Sequence, residues 1–171
     1  MVMKHCFALL IFIAASLVVV WEVATPSHDR VWRADHSVLP TATTTDRGYL
    51  LSNVRNWSYH PDTGSSTAEV WHDVELVPEE LTDVYFLLEP FGAWDGIAHT
   101  MLSFHFASGE AYVVSVEARR EVGEGYRALQ AALWPTYEYL YVWTTERDMY
   151  ANSQYFAEDD LYRYRLELSE A

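Results

Sequence analysis

Apolar and polar residues alternate through two adjacent stretches of this chain. Between Ala98 and Phe106, Thr100, Leu102, Phe104 and Phe106 alternate with His99, Met101, Ser103 and His105. Further on, Tyr112, Val114 and Val116 alternate with Val113, Ser115 and Glu117. Successive side chains of a strand point to opposite faces, so each stretch reads as a strand with one apolar side. The apolar sets must share a face, because a slip of one residue inverts every side chain. A two-residue turn at Ser108-Gly109 would mix the faces. A three-residue loop, Ala107-Ser108-Gly109, keeps them matched, with glycine in the position that favours left-handed backbone. That register sets His99 opposite Glu117 and assigns Leu102, Phe104, Val114 and Val116 to the core.

Five further segments read as strands: Tyr49 to Trp57, Ala68 to Leu76, Val84 to Glu89, Tyr139 to Thr145 and Leu161 to Leu168. His60-Pro61-Asp62-Thr63-Gly64 reads as a turn, and Phe91 to Gly96 as a glycine-punctuated loop. Gly125 to Leu133, ending before Pro135, reads as the one short helix of the domain. The pattern therefore predicts an α+β fold: a predominantly antiparallel sheet with a central β-hairpin and one short helix.

The N-terminus has a different pattern. Lys4 and His5 precede an unbroken apolar run from Phe7 to Trp21, which Glu22 ends. As a helix that run is about 22 Å long, against a hydrocarbon core of about 30 Å. It is long for a signal-peptide core and short for a spanning helix. Cleavage after Ala24 would put Glu22 at the minus-three position, so residues 1–25 are expected to act as an uncleaved signal anchor, with a cleaved signal peptide as the alternative. Residues 26–46, with Pro26, Pro40 and the threonines of Thr41 to Thr45, are expected to form a linker. Residues 47–171 are expected to be the exported domain. The expected location is the inner membrane, single-pass, with the domain in the periplasm; soluble and periplasmic is the alternative.

Composition narrows the functions. The formal net charge is −14, which argues against nucleic acid and anionic lipid surfaces as partners. The only cysteine is Cys6, so the domain has no disulfide and no thiol of its own. His99 and His105 lie about 20 Å apart along one strand, too far to share an ion, and no metal-ligand spacing is present. No cofactor or metal is expected. The candidate chemistry is His99 with Glu117, a carboxylate placed to orient an imidazole and raise its basicity. Ser115, diagonal to His99, lacks a nucleophile-elbow pattern. Arg55, Arg119, Arg120 and Arg147 are expected to pair with acids. The plainer reading of the hairpin is that its polar side faces solvent.

Several ordered motifs resemble the Lnb N-terminal periplasmic domain family. They are Asn53-Val54-Arg55-Asn56-Trp57-Ser58-Tyr59, Ala98-His99-Thr100-Met101-Leu102-Ser103-Phe104, Ser115-Val116-Glu117-Ala118-Arg119-Arg120-Glu121, and Tyr137 to Val142 with Glu146-Arg147-Asp148. The resemblance covers roughly Val31 to Leu166. It implies a histidine strand followed, in the family, by an asparagine-rich segment with a cysteine, an order similar to permuted NlpC-type and papain-like thiol folds. This chain stops at Ala171, so His99 maps onto that pattern and a nucleophile does not. The expectation is a non-catalytic binding or scaffold module. The alternative is the histidine-bearing part of a thiol hydrolase or acyltransferase acting on cell-envelope peptides or lipoproteins.

Overall fold

The computed structural model describes residues 2–24, 28–91, 96–133, 136–157 and 160–167. In chain order the elements are α1 (Val2–Ala24), α2 (Ala34–Ser37), β1 (Thr41–Thr44), β2 (Tyr49–Arg55), β3 (Ser58–Tyr59), β4 (Ser66–Ala68), β5 (Trp71–Leu76), β6 (Leu81–Pro90), β7 (Ala98–Phe106), β8 (Ala111–Arg119), α3 (Ala128–Leu133), β9 (Glu138–Thr145), α4 (Glu146–Ala151) and β10 (Tyr162–Arg165). A π-helical turn, Asn152–Ala157, continues α4. Of the expected features, Thr25, Pro26, Gly92 to Asp95, Pro135 and Leu168 lie outside the described residues.

The chain divides into two units. One comprises Met1–Arg33 with Ala118–Glu138, the other Ala34–Glu117 with Tyr139–Ala171. In the first unit, the N-terminal run forms α1, and Phe7, Leu10, Phe12, Leu17, Val18 and Val19 are all exposed on it. Among the described residues no helix is long and apolar enough to cross a membrane, so the structure does not bear out the expected anchor. The physical reason is the one that the length of the run anticipates: Phe7 to Trp21 falls short of a hydrocarbon core. The same unit buries Arg119, whose guanidinium lies 4.0 Å from the Trp32 ring centroid.

The second unit holds the sheet. Its strands follow the order β1-β2-β9-β8-β7-β6-β10, and β5 pairs with β2. The recorded pairings are antiparallel except one parallel bridge, Arg55↔Thr144, between β2 and β9. The mixed, mostly antiparallel α+β class is as expected, with β7 and β8 in the middle. Helices are more numerous than the single one expected: the six residues of α4 are too few to show a 3.6 period in the sequence. Thr145 caps it by accepting from the Asp148 N–H at 3.2 Å, and Glu146 and Asp148 suit the positive end of the first turn. The segment expected as a tether contains α2 and β1, and β1 pairs with β2 from Thr41↔Ser52 to Thr44↔Tyr49.

The hairpin register is the expected one. Met101 pairs with Ser115, Leu102 with Val114 and His105 with Ala111. The loop holds three residues, and Gly109 closes it at φ +87°, a conformation that glycine reaches without a Cβ clash.

The face assignment needs correcting. Met101, Ser103, Val113 and Ser115 are the buried set, whereas Leu102, Phe104 and Val114 are half-buried and Val116 is 47% exposed. The side that reads as polar lies under α4 and the π-helical turn. Leu87, Met101, Val113 and Met149 form its core. Its serines are small, and each donates a hydrogen bond to a glutamate, Ser103 to Glu146 and Ser115 to Glu117. The opposite side packs Leu51, Val54 and Tyr112 with Val74, Phe106 and Trp143. Both faces of the central hairpin are therefore covered.

This arrangement orders two truncations. Met101→Ala should cost about 2–5 kcal/mol, the range for a buried methionine, and Phe104→Ala should fall below the roughly 3–5 kcal/mol of a fully buried aromatic. Urea unfolding of the two variants checks this; a larger loss for Phe104→Ala than for Met101→Ala would reverse the faces.

Candidate histidine–glutamate site

Three adjacent strands set a row of titratable side chains across the sheet. Glu89 of β6 pairs with His99 of β7. On the other side, His99 Nε2 lies 3.0 Å from Glu117 Oε1 of β8. At that distance the imidazole and the carboxylate are within hydrogen-bonding reach and attract each other. Cross-strand neighbours on one face are close enough for such a pair wherever the register holds them opposite.

Each member of the row is itself held. Ser115 Oγ donates to Glu117 at 2.7 Å. Ser153 Oγ, from the π-helical turn, donates to Glu89. Ser115 and Ser153 are both buried. The Ser115 proton is thus committed to a carboxylate and not to the imidazole, which argues against Ser115 as a nucleophile activated by His99.

The charges shape the proton affinities. For His99, burial pushes the pKa down, but contact with Glu117, its charge and the charge of Glu89 outweigh that and raise it above the ordinary 6.5. For Glu117, burial pushes up, while His99, Ser115 and the charge of His36 pull harder, bringing it down from 4.5 to about 2. With Nε2 turned to Glu117, the proton affinity of the ring is raised by the carboxylate behind it.

Other candidates separate from this row. His105 shares the face but belongs to a second cluster, 2.9 Å from Glu146 and 3.2 Å from Ser103 and from Arg163. His60 contacts Asp62, and His72 lies against Asn56. Among the described residues no group of three potential ligands is placed to hold a metal ion. Arg55 pairs with Asp148, and Arg119 lies 3.9 Å from Glu138. Arg147 bonds Asn56 and Ser58, and no acid among the described residues. The sequence alone places neither Glu89 beside His99 nor Ser153 on Glu89. Glu89 was legible as a strand residue, but its position opposite His99 depends on the β6–β7 register, which the ten-residue strand β6 and its bulge between Leu81 and Asp83 set.

The pair fixes a pH window. Glu117 has a lowered folded pKa, so its contribution is present above about 4.5 and fades as pH falls towards about 2. His99 has a raised folded pKa, so its contribution is full below about 6.5 and fades as pH climbs through the raised value. The pair should stabilise the fold most between those two values. Titration of His99 by NMR should give a pKa above 6.5 in the wild type and a lower one in Glu117→Gln. Equal values in both proteins would show that the carboxylate does not act on the ring.

The family comparison agrees with the motifs around this row. Residues 67–171 match the family model of the Lnb N-terminal periplasmic domain. The match includes β6, β7 and β8, hence Glu89, His99 and Glu117; it begins after the Asn53 to Tyr59 motif. No curated protein and no solved structure matches the chain. The family match spans more than half of the chain, so the chain belongs to the Lnb N-terminal periplasmic domain family.

Proposed function

We propose that this chain is a periplasmic binding or scaffold module in which His99 and Glu117 contact a ligand without catalysing a reaction on their own. The observation that carries this reading is a carboxylate-backed imidazole in a domain whose sequence after Cys6 holds no cysteine. A thiol reaction needs a thiolate beside the imidazole, and this domain supplies only the imidazole. The ligand proposed is a cell-envelope peptide or lipoprotein, consistent with a family of periplasmic domains. One feature favours a second reading. A raised, oriented histidine is also what a thiol hydrolase or acyltransferase uses as its base, and a nucleophile from elsewhere would turn the module into its histidine-bearing part.

The membrane location belongs to the same proposal. Helix α1 exposes apolar side chains from Phe7 to Val20, and we assign it to export and attachment at the inner membrane. A bilayer thins to meet a short segment at modest cost, which accommodates the shortfall in length. The protein should resist carbonate extraction; recovery of a soluble form beginning near Thr25 would overturn attachment.

The catalytic question has its own test. The full chain carrying Cys6→Ser should take up no iodoacetamide and should not hydrolyse envelope peptides or lipoprotein acyl chains. Hydrolysis by that protein, abolished by His99→Ala, would overturn the non-catalytic reading.

A further inference from the structure

The sheet face opposite His99 is covered at one end only. There, Leu51, Val54 and Val74 pack on Tyr112, Phe106 and Trp143, at the loop end of the central hairpin. Towards the other end of the strands that cover stops. Register places Tyr162 and Tyr164 of β10, Phe86 and Leu88 of β6, and Leu102 and Val114 of the hairpin on this one face. Trp143 meets Phe104 on the same face, so Tyr139 and Tyr141 alternate onto it from β9. Tyr139 is 79% exposed and Tyr141 65%, and Tyr162, Tyr164 and Val116 are exposed as well. Phe86, Leu88, Leu102 and Val114 form a half-buried floor between them. The strand order β9-β8-β7-β6-β10 sets the two tyrosine pairs at opposite margins, about 19 Å apart at the usual strand spacing.

Charge is absent from this patch. The chain carries 25 acidic and 11 basic residues. Among the described residues of these strands within the unit, the charged side chains are Asp83, Glu89, Glu117, Arg163 and Arg165. All five alternate onto the opposite face, the one with His99. A contiguous exposed apolar patch marks a surface that meets another surface.

We propose that the patch rests on the interface of a zwitterionic bilayer, tyrosines at the headgroups and the apolar floor against the acyl boundary. The proposal rests on the attachment of α1 put forward above. Three features select lipid. A tyrosine joins an apolar ring to a hydroxyl, which suits the headgroup level. An uncharged patch lets so acidic a domain meet a bilayer without desolvating a charge. The chain also holds a second apolar element, since α1 exposes Phe7, Leu10, Phe12 and Leu17. Only residues 25–31 separate α1 from Trp32, which bridges Glu121 just past the end of β8. That segment spans at most about 28 Å, so an attached α1 holds the end of β8 near the membrane. A second copy is a poorer occupant, because two chains of net charge −14 repel each other. Resting on this patch turns the opposite face, with His99 and Glu117, towards the periplasm.

Fluorescence quenching of the full chain in phosphatidylcholine vesicles tests the patch. A thiol dye is attached to Tyr141→Cys, Tyr164→Cys or Ser108→Cys, each combined with Cys6→Ser, and to the native Cys6 of the unaltered chain. Ser108 lies in the exposed loop at the far end of the hairpin. A lipid-borne nitroxide should quench the dye in Tyr141→Cys and Tyr164→Cys roughly twofold or more beyond that in Ser108→Cys, and aqueous iodide should show the reverse order. Adding Tyr139→Asp, a charge on the patch, should bring Tyr164→Cys to the level of Ser108→Cys. Equal quenching at all three positions, or no response to Tyr139→Asp, would overturn the proposal. So would shielding from both quenchers, the sign of a second copy. The dye on Cys6 separates this failure from loss of attachment: lipid quenching there and none in Tyr141→Cys overturns the patch alone, and none at either overturns both.

Discussion

One buried ion pair spans the narrowest joint of the sheet. Asp148, fully buried at the start of α4, accepts from Arg55 Nε at 3.0 Å and Nη2 at 2.9 Å. It also accepts from the Trp57 N–H at 2.7 Å and from the Tyr59 hydroxyl at 3.2 Å. Arg55 lies where β2 makes its single parallel bridge to β9. The strands β1, β2 and β5 thus join the remaining strands at a narrow seam, and Asp148 closes it. Burial alone would lower the Arg55 pKa, but Asp148 more than offsets this and raises it. Burying two charges is expensive, and the extra donors are what make this pair tolerable.

The seam governs what happens at the histidines. Asp148 fixes α4, and α4 leads into the π-helical turn that carries Ser153 to Glu89 beside His99. Glu146, two residues before Asp148, reaches His105. One short helical segment therefore supports both polar clusters of the face, with Leu87, Met101, Val113 and Met149 between them. Insertions of π geometry in short helices are frequent at functional sites, and this one places a buried hydroxyl where the His99 row needs it.

What could be read from the sequence follows from the range of each interaction. The hairpin register was legible because it is local: two alternating strands and a glycine at the third loop position leave one consistent pairing. With it came the opposition of His99 and Glu117. The buried face was not legible. Met101, Ser103, Val113 and Ser115 look like a mixed, half-polar side until one sees that each serine hydroxyl is satisfied by a glutamate beneath a helix. Helix α4 is too short for periodicity to reveal it. Arg55 and Asp148 are 93 residues apart, and nothing in an arginine on one strand points to a particular aspartate so distant among so many acids. Asn53 is similar. Its φ of +64° and the β2 bulge beside it depend on Asp73 and Leu39, which bond its N–H and its side-chain amide.

A double-mutant cycle on the seam tests the account most directly. Asp148→Asn keeps an acceptor for the Trp57 N–H while leaving the Arg55 charge unpaired. Arg55→Leu removes that charge and leaves Asp148 unpaired. Each single change should destabilise the protein by about 3–5 kcal/mol, the usual consequence of leaving one buried charge alone. The double variant, with neither charge, should lose much less than the sum of the two, because the members of one contact are coupled. Additive losses in chemical denaturation would show that Arg55 and Asp148 act independently, and would contradict the claim that this pair closes the sheet.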